Sequence, residues 1–431
     1  MKPEPESTRR PAERAIAAAL VLPGSAAAAA SDPLDEITGL ATAAGAVVVD
    51  GVTQRLRVPD SHSAFGRGKV AEMRALAQQH RADLVVVDHD LSPSQGRNLE
   101  KDLGVRVVDR TELILDIFAR RARTRQAMLQ VELAQMEYLR PRLRRMWTHL
   151  ERTEGAIGTR GPGETQLETD RRLISRKISE LRRKLKEIEA RAERQAESRD
   201  EPVTVSLVGY TNVGKSSLMR CLTGAQVLVA DQLFATLDTR VRRWPLRDGR
   251  AVLLTDTVGF VRELPHHLVA SFHATLAETL RADLLLHVCD AADPDLDLHL
   301  RAVEAVLAQL RADAIPRVLL LNKMDQVPRE ERGVLLDRHP EAVAVSAHSG
   351  EGLDALDAAV AAWLDAWSLR LELTVPMSQG KLLAELRRTA MVESEDFEDE
   401  RWRGRVRILP RRWNGLASDW QRAGGSFRAL A

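Results

Sequence analysis

Cysteine is scarce in this 431-residue chain, and the two that occur, Cys221 and Cys289, lie far apart in segments that we expect to be buried. A disulfide framework and a cysteine-ligated zinc site both need more cysteines at characteristic spacings. Long apolar runs are also missing, because no stretch approaches the roughly 20 residues of a membrane-spanning helix. These absences favour a multidomain soluble protein that folds in a reducing cytoplasm.

An overall excess of charge is missing too, since 63 Lys and Arg residues balance 62 Asp and Glu residues to a formal net charge of +1. This balance hides one basic segment, because residues 116–200 carry 21 basic and 14 acidic residues. Such a local excess is typical of a polyanion contact, and a solvated helical surface explains it equally well.

The most specific pattern present is a glycine-rich loop between an apolar strand pattern, residues 203–208, and a helix pattern that continues from Ser217. It matches G-x-x-x-x-G-K-[ST] at every position: Gly209-Tyr210-Thr211-Asn212-Val213-Gly214-Lys215-Ser216. The glycines let backbone N–H groups turn toward one anion, and the helix N-terminus adds partial positive charge. We therefore predict a nucleoside-triphosphate site, with Lys215 on the outer phosphates as a catalytic residue and the Ser216 hydroxyl as a ligand of Mg²⁺.

Three further motifs follow predicted strands, and the second and third of them point to guanine. They are Asp256-Thr257-Val258-Gly259, Asn322-Lys323-Met324-Asp325 and Ser346-Ala347-His348. Asp256 is placed to hold Mg²⁺ through water, and the Gly259 N–H is placed to face the γ-phosphate. The Asp325 carboxylate can accept both N1–H and N2–H of guanine, whereas adenine has no matching pair of donors. The third motif can present a backbone N–H to guanine O6, so the set predicts GTP rather than ATP.

A first switch segment is predicted between the phosphate loop and Asp256, at Phe234-Ala235-Thr236-Leu237-Asp238. Thr236 is the expected second protein ligand of Mg²⁺ and a catalytic residue, with Thr239 as the alternative. Phe260 follows Gly259 where many signalling GTPases carry a glutamine that orients the attacking water. Because phenylalanine cannot orient water, we expect slow intrinsic hydrolysis that a partner stimulates.

Alternating strand and helix patterns predict a multidomain α/β chain built around a doubly wound P-loop GTPase sheet. We expect a disordered tail over residues 1–12 and a small, mostly parallel α/β domain over 13–115. A helical hairpin with a glycine-rich loop follows over 116–200, the GTPase domain over 201–368 and a small α+β domain over 369–431.

The N-terminal stretch from Arg9 to Ala30 is similar to a signal peptide, but Pro23-Gly24 interrupts it, and an opening strand from Ala15 to Leu22 is the simpler interpretation. Further on, Gly66-Arg67-Gly68-Lys69 could form a second phosphate site. It lacks the full loop pattern, so a glycine turn before a helix is favoured.

Two heptad patterns predict that the hairpin helices pack antiparallel on each other, with a kink at Pro141. The first seam is Met136, Leu139, Leu143, Met146 and Leu150, and the second is Ile174, Ile178, Leu181, Leu185, Ile188 and Ala192. The loop between them contains Gly158-Thr159-Arg160-Gly161-Pro162-Gly163-Glu164. Its glycines allow close backbone approach and Arg160 can stack on bases or pair with phosphates, although a plain connector remains an alternative.

With these motifs the chain resembles the HflX family of ribosome-associated GTPases. The resemblance rests on the run from Gly158 to Arg172, on Leu91-Ser92-Pro93-Ser94-Gln95 with Arg97-Asn98-Leu99-Glu100, on Asp109-Arg110-Thr111-Glu112-Leu113-Ile114-Leu115-Asp116 and on Leu233 to Asp238. It implies a cytoplasmic GTPase that binds the large (50S) ribosomal subunit and splits or rescues stalled ribosomes. The loop from Gly158 to Glu164 would approach the peptidyl-transferase region of the rRNA. After Leu237-Asp238, Thr239-Arg240 stands where the family more usually has Pro-Thr-Thr. We also expect the protein to be a monomer.

Two other classes of function compete with this interpretation. A ribosome-assembly GTPase would bind immature precursors rather than intact ribosomes. An ATP-dependent rRNA remodeller would work through the N-terminal domain, and Asp325 argues against ATP at the main site only.

Overall fold

The computed structural model describes residues 12–143, 162–197, 203–224, 233–234, 240–262 and 282–430. The chain divides into two compact units. The first comprises Met1–Ser198, Val203–Trp244 and Val252–Glu351, and the second comprises Arg199–Pro202, Pro245–Ala251 and Gly352–Ala431. Within the described residues, no helix is both long and apolar enough to cross a membrane.

The first part of the chain, residues 12–121, which we call the N-terminal region, contains a four-stranded sheet in the order β2-β1-β3-β4. All its strand pairs are parallel, as predicted. The opening strand is nearly continuous in buried apolar residues, because helices cover a parallel sheet on both faces. The elements are β1 (Arg14–Val21), α1 (Ala26–Ala29), α2 (Asp35–Ala43), β2 (Val47–Arg55), α3 (Arg67–Gln79), β3 (Leu84–Asp88), α4 (Pro93–Leu103), β4 (Arg106–Asp109) and α5 (Arg110–Arg121).

Two long helices, α6 (Arg125–Leu143) and α7 (Pro162–Glu197), follow this region and pack on each other. The second predicted seam is confirmed where side chains are described, but the first is wrong at Leu139, which is 40% exposed. The buried apolar residues of α6 begin at Leu129, earlier than predicted, and near the end of the helix Arg142 donates to Asp109 of the N-terminal region. The seam consists of Leu129, Leu133, Met136, Ile174, Ile178, Leu181, Leu185 and Ile188.

The nucleotide region, residues 203–351, contains a six-stranded sheet in the order β10-β9-β8-β5-β7-β6. β5 pairs in parallel with β7 and β8, and β9 in parallel with β8 and β10, which confirms the doubly wound parallel arrangement. The carboxyl ends of these strands therefore meet at one edge. The elements are β5 (Thr204–Gly209), α8 (Lys215–Thr223), β6 (Arg240–Pro245), β7 (Ala251–Asp256), β8 (Leu284–Asp290), α9 (Leu296–Gln309), β9 (Arg317–Asn322), a 3₁₀ turn (Met324–Gln326), α10 (Arg329–Arg338) and β10 (Val343–Ala344).

The C-terminal part contains both helices and strands, as predicted, and its sheet is antiparallel in the order β12-β13-β11-β14. Its core is rich in tryptophan, with Trp402, Trp413 and Trp420 buried together. The elements are α11 (Leu353–Trp367), β11 (Leu369–Pro376), α12 (Gly380–Thr389), β12 (Met391–Glu398), β13 (Arg401–Ile408), α13 (Pro410–Arg422) and β14 (Ser426–Ala429).

Candidate nucleotide site

Both glycines of the phosphate loop are required by close packing. A Cβ on Gly209 would collide with the Val288 carbonyl oxygen, which is backbone and cannot move aside. A Cβ on Gly214, whose φ is +93°, would collide with the Asn322 side chain. The loop therefore lies directly against strand β8 and against the residue that begins the guanine motif.

Lys215 begins helix α8 and points its ammonium group into the loop. Its Nζ donates to the carbonyl oxygens of Gly209 at 3.0 Å and Tyr210 at 2.6 Å, and its side chain is buried. Burial lowers the pKa of Lys215 to about 8, against the opposing effect of the Asp256 carboxylate. A positive group with donors aimed into the loop is suited to phosphate oxygens.

Ser216 lies beside Asp256, the last residue of strand β7. The Ser216 hydroxyl donates to Asp256 Oδ2 at 2.7 Å. A hydroxyl next to a carboxylate offers the hard oxygen ligands that Mg²⁺ prefers, and few protein ligands suffice because Mg²⁺ keeps several waters and substrate phosphates. This pair therefore fits the predicted metal site, and Ser217 follows half-buried in the same helical turn.

The segment after Asp256 packs against the phosphate loop. The Thr257 hydroxyl donates to Leu207 O at 2.6 Å, and Val258 is buried. A Cβ on Gly259 would lie 2.7 Å from Thr211 Cγ2 and 3.1 Å from Lys215 Nζ, so its backbone is in close contact with the loop. Phe260 N donates to Gly209 O at 3.1 Å, and Phe260 O accepts from Thr211 N at 2.8 Å.

The guanine motif is held by hydrogen bonds within the nucleotide region. Asn322 donates through Nδ2 to Val213 O at 2.7 Å, and its Oδ1 accepts from Ala347 N at 2.9 Å. The Ser346 hydroxyl donates to Asp325 Oδ1 at 2.6 Å, which orients that exposed carboxylate. Lys323 pairs with Asp290 at 2.7 Å, and Met324 is buried.

The motif Ser346-Ala347-His348 forms a tight turn whose backbone N–H groups donate to other groups of the protein. Ser346 N donates to Glu351 O, Ala347 N to Asn322 Oδ1, and His348 N to the Ser346 hydroxyl. The contact to guanine O6 therefore stays a prediction. Cys221 donates to Ala347 O at 2.9 Å from an exposed position, so the expectation that Cys221 is buried is wrong, while Cys289 is buried as expected.

The first switch segment is described only at its start. Leu233 and Phe234 are placed, whereas Ala235, Thr236, Leu237, Asp238 and the alternative Thr239 lie outside the described residues. Phe234 is buried, and its ring packs edge-on against Phe118 of helix α5 at 4.7 Å between centroids. The segment is therefore anchored to the N-terminal region just before the predicted Mg²⁺ ligand.

Three buried charged residues lie beside the phosphate loop, and no role in the nucleotide site was predicted for them from the sequence. Glu36, Arg110 and Arg262 meet Tyr210 of the phosphate loop in one hydrogen-bonded group. Arg110 lies in a run that carried the family resemblance, and no pattern marks Glu36 or Arg262. Their proximity depends on the packing of the N-terminal region on the nucleotide region, which periodicity does not report.

The chain is similar to known proteins over most of its length. Three family models cover consecutive segments: "GTP-binding GTPase N-terminal" over residues 31–119, "GTP-binding GTPase Middle Region" over 121–199 and "50S ribosome-binding GTPase" over 204–323. The GTPase HflX of Magnetococcus marinus is 46% identical over 375 residues, which cover 84% of this chain and 86% of that protein.

Two further relatives agree. The GTPase HflX of Escherichia coli K12 is 45% identical over 376 residues, covering 86% of this chain and 88% of that protein. The GTPase HflX of Caldanaerobacter subterraneus is 42% identical over 397 residues, covering 92% and 91%. Identity at this level over most of the chain, together with the phosphate loop and guanine motif, shows that the chain belongs to the HflX family and is a GTP-binding GTPase.

Proposed function

We propose that this GTPase, as a cytoplasmic monomer, binds the large ribosomal subunit in its GTP-bound form and splits or rescues stalled ribosomes. The observation that carries the proposal is the placement of helix α7. It begins at Pro162, so Pro162, Gly163 and Glu164 belong to its first turn and the loop prediction is wrong there, whereas Gly158, Thr159, Arg160 and Gly161 lie outside the described residues. The helix buries one face against α6. Arg171, Arg172 and Arg176 are exposed in the first half of this helix. Clustered exposed arginines supply the electrostatic attraction that binds a nucleic-acid backbone.

GTP would bind along the edge where the parallel strands end. Asp325, oriented by Ser346, accepts from guanine N1–H and N2–H, and Lys215 donates to the outer phosphates. Gly259 presents its N–H to the γ-phosphate, and its backbone packs closely enough that a Cβ there would lie 3.1 Å from Lys215 Nζ. The arrangement supports charge stabilisation rather than covalent catalysis, which is the usual requirement of phosphoryl transfer.

Ser216 and Thr236 would hold Mg²⁺, with Asp256 bound through water. When bound, the ion supplies charge neutralisation at the outer phosphates. Ser216 and Asp256 are already in hydrogen-bond contact, so their oxygens need little rearrangement to share one ligand sphere. Thr236 would be the second protein ligand when GTP is bound.

Slow intrinsic hydrolysis is part of the proposal. The Phe260 side chain is 1% exposed and its backbone is bonded on both sides to the phosphate loop. It therefore leaves the position after Gly259 without a group that orients water. A ribosomal partner would complete the site.

The test is sedimentation of intact ribosomes after incubation with the full-length protein and either GTP or a non-hydrolysable analogue. We expect separated subunits, with the protein on the large one, and no separation with GDP. Binding to immature precursors alone would support the assembly alternative. Nucleotide-dependent activity that is unchanged by Asp325→Asn would favour the ATP-dependent remodeller.

A loop variant tests the contact directly. Arg160→Ala with Gly161→Pro should leave GTP affinity unchanged and reduce both ribosome affinity and its salt dependence. Arg191→Ala is a control, because Arg191 is exposed and lies about 43 Å along α7 from its first residue, Pro162. An equal loss in both variants would contradict a specific role for the loop.

A further inference from the structure

Glu36, on helix α2 of the N-terminal region, lies at the centre of a buried network beside the phosphate loop. Its side chain is 4% exposed. Arg262 donates to Glu36 Oε2 through Nε at 2.6 Å and through its backbone N–H at 3.4 Å. The Tyr210 hydroxyl and the Arg110 guanidinium donate to the same carboxylate.

The charges of the network balance within the protein. Arg110 also binds Asp88 and donates to Arg262 O at 2.5 Å, so two arginines face two carboxylates. The side chains of Arg110, Arg262, Glu36 and Asp88 are all at most 7% exposed. Removing one partner of such a group leaves a buried charge uncompensated, which strongly favours the single geometry in which all of them meet.

Two residues of this network belong to segments that would surround the outer phosphates. Tyr210 directly follows Gly209, and its carbonyl oxygen accepts from Lys215 at 2.6 Å. Arg262 comes three residues after Gly259, and its N–H donates to the Tyr210 hydroxyl at 3.0 Å. The Tyr210 ring also stacks on His299 at 3.9 Å. Glu36 therefore holds the phosphate loop and the Gly259 segment at the same point.

We propose that Glu36 is a positioning residue for GTP hydrolysis, which sets the separation between the phosphate loop and Gly259 through Tyr210 and Arg262. The proposal rests on the placement of GTP given above. Glu36 does not touch the reacting atoms in this account, and it acts through the two residues that it binds. Displacement of reacting groups by about 1 Å can lower a rate by on the order of 100-fold, so a small shift of this junction affects the chemical step.

The test compares Glu36→Gln with Asp88→Asn in the full-length protein, using single-turnover hydrolysis of GTP. Asp88 matches Glu36 in burial, charge and its partner Arg110, and no hydrogen bond in the described part of the chain joins it to Tyr210 or Arg262. We expect Glu36→Gln to lower the hydrolysis rate by ~10-fold while GDP affinity changes by less than ~3-fold. Asp88→Asn should remain within ~2-fold of the original rate.

A second variant keeps the proposal testable if Glu36→Gln does not fold. Tyr210→Phe removes one hydroxyl and retains the stacked ring, and it should slow hydrolysis in the same direction. The variant that combines Glu36→Gln with Tyr210→Phe should hydrolyse GTP no more slowly than Glu36→Gln alone, because both changes break the same link between Glu36 and Tyr210. Additive losses, an unchanged rate in folded Glu36→Gln or an equal loss in Asp88→Asn would overturn the proposal. An error in the placement of GTP would show separately, as GTP binding that Lys215→Ala leaves intact.

Discussion

The two ends of the nucleotide site are held by different parts of the chain. At the guanine end, the contacts described above join Asn322, Asp325 and Ser346 to residues of the nucleotide region alone. At the phosphate end, Tyr210 and Arg262 bind Glu36, and Phe234 packs on Phe118, both from the N-terminal region. The proposed base contacts are therefore held locally, whereas the proposed phosphate contacts are held in part by a second region.

A continuous set of contacts extends this dependence toward the helical pair. Arg142 of α6 binds Asp109 at 2.7 Å, and Asp109 accepts from Glu112 N at the start of α5. The next residue, Arg110, binds Glu36. Since binding at one site and conformation at another are linked reciprocally, a ligand of the α6–α7 pair that shifts α5 would also alter nucleotide affinity. The comparison predicts that such effects appear at the phosphate end alone.

The largest effect should come from removing the phosphate contact itself. Lys215→Ala deletes the buried ammonium group inside the loop, and we expect kcat/KM for GTP to fall by at least ~100-fold. The preference for GTP over ATP in residual binding should persist, because Asp325 is untouched. Steady-state kinetics with competition binding would measure both, and a lost preference would mean that the two ends are not separable.

Asp325→Asn should break the guanine end alone. GTP affinity should fall by on the order of 100-fold, because a charged acceptor for two donors is lost. The rate at which bound GTP is hydrolysed should stay within a few-fold of the original. Asp337→Asn, an exposed carboxylate on α10, is the control. Titration calorimetry and single-turnover kinetics decide the matter, and a large fall in the hydrolysis rate would contradict local base recognition.

Phe118→Ala should act on the phosphate end through the first switch segment. The ring contact to Phe234 is lost, and we expect the ratio of GTP to GDP affinity to change by ~3-fold, at a stability loss of about 3–5 kcal/mol. Phe65→Ala is a matched control, because Phe65 is fully buried in a core cluster made only of N-terminal residues. Stopped-flow nucleotide binding measures the ratio. An identical change in both variants would assign the effect to stability.

The smaller of the two predicted stability losses concerns strand β8, which lies against the phosphate loop. Burial lowers the pKa of His287 in β8 to about 4, helped by the charges of Arg317 and Lys215. Between pH 6.5 and 4 the unfolded chain binds a proton that the folded protein does not, so the free energy of unfolding falls as pH drops through this window. The loss is about 2 kcal/mol from pH 6.5 to 5. Urea titrations of the original and His287→Leu proteins test it, and an equal acid loss in both would contradict it.

Local motifs carried most of what the sequence could predict. The loop from Gly209 to Ser216 and the motif at Asn322 were found because short spacings encode them, and the parallel sheets followed from apolar runs. The strand β6 was missed because arginines interrupt its apolar pattern. Glu36 was missed because its partners lie 74, 174 and 226 residues away in the chain. Long-range polar packing leaves no local period.

Hydrogen–deuterium exchange of the full-length protein and its Glu36→Gln variant, both saturated with GDP, tests the central claim most directly. We expect faster exchange in the variant at residues 207–214 and 258–262, because Glu36 no longer holds Tyr210 and Arg262. Exchange at residues 320–326 and 344–348 should remain unchanged. Equal acceleration at the guanine end, or none at the phosphate end, would contradict the division of the site between two regions.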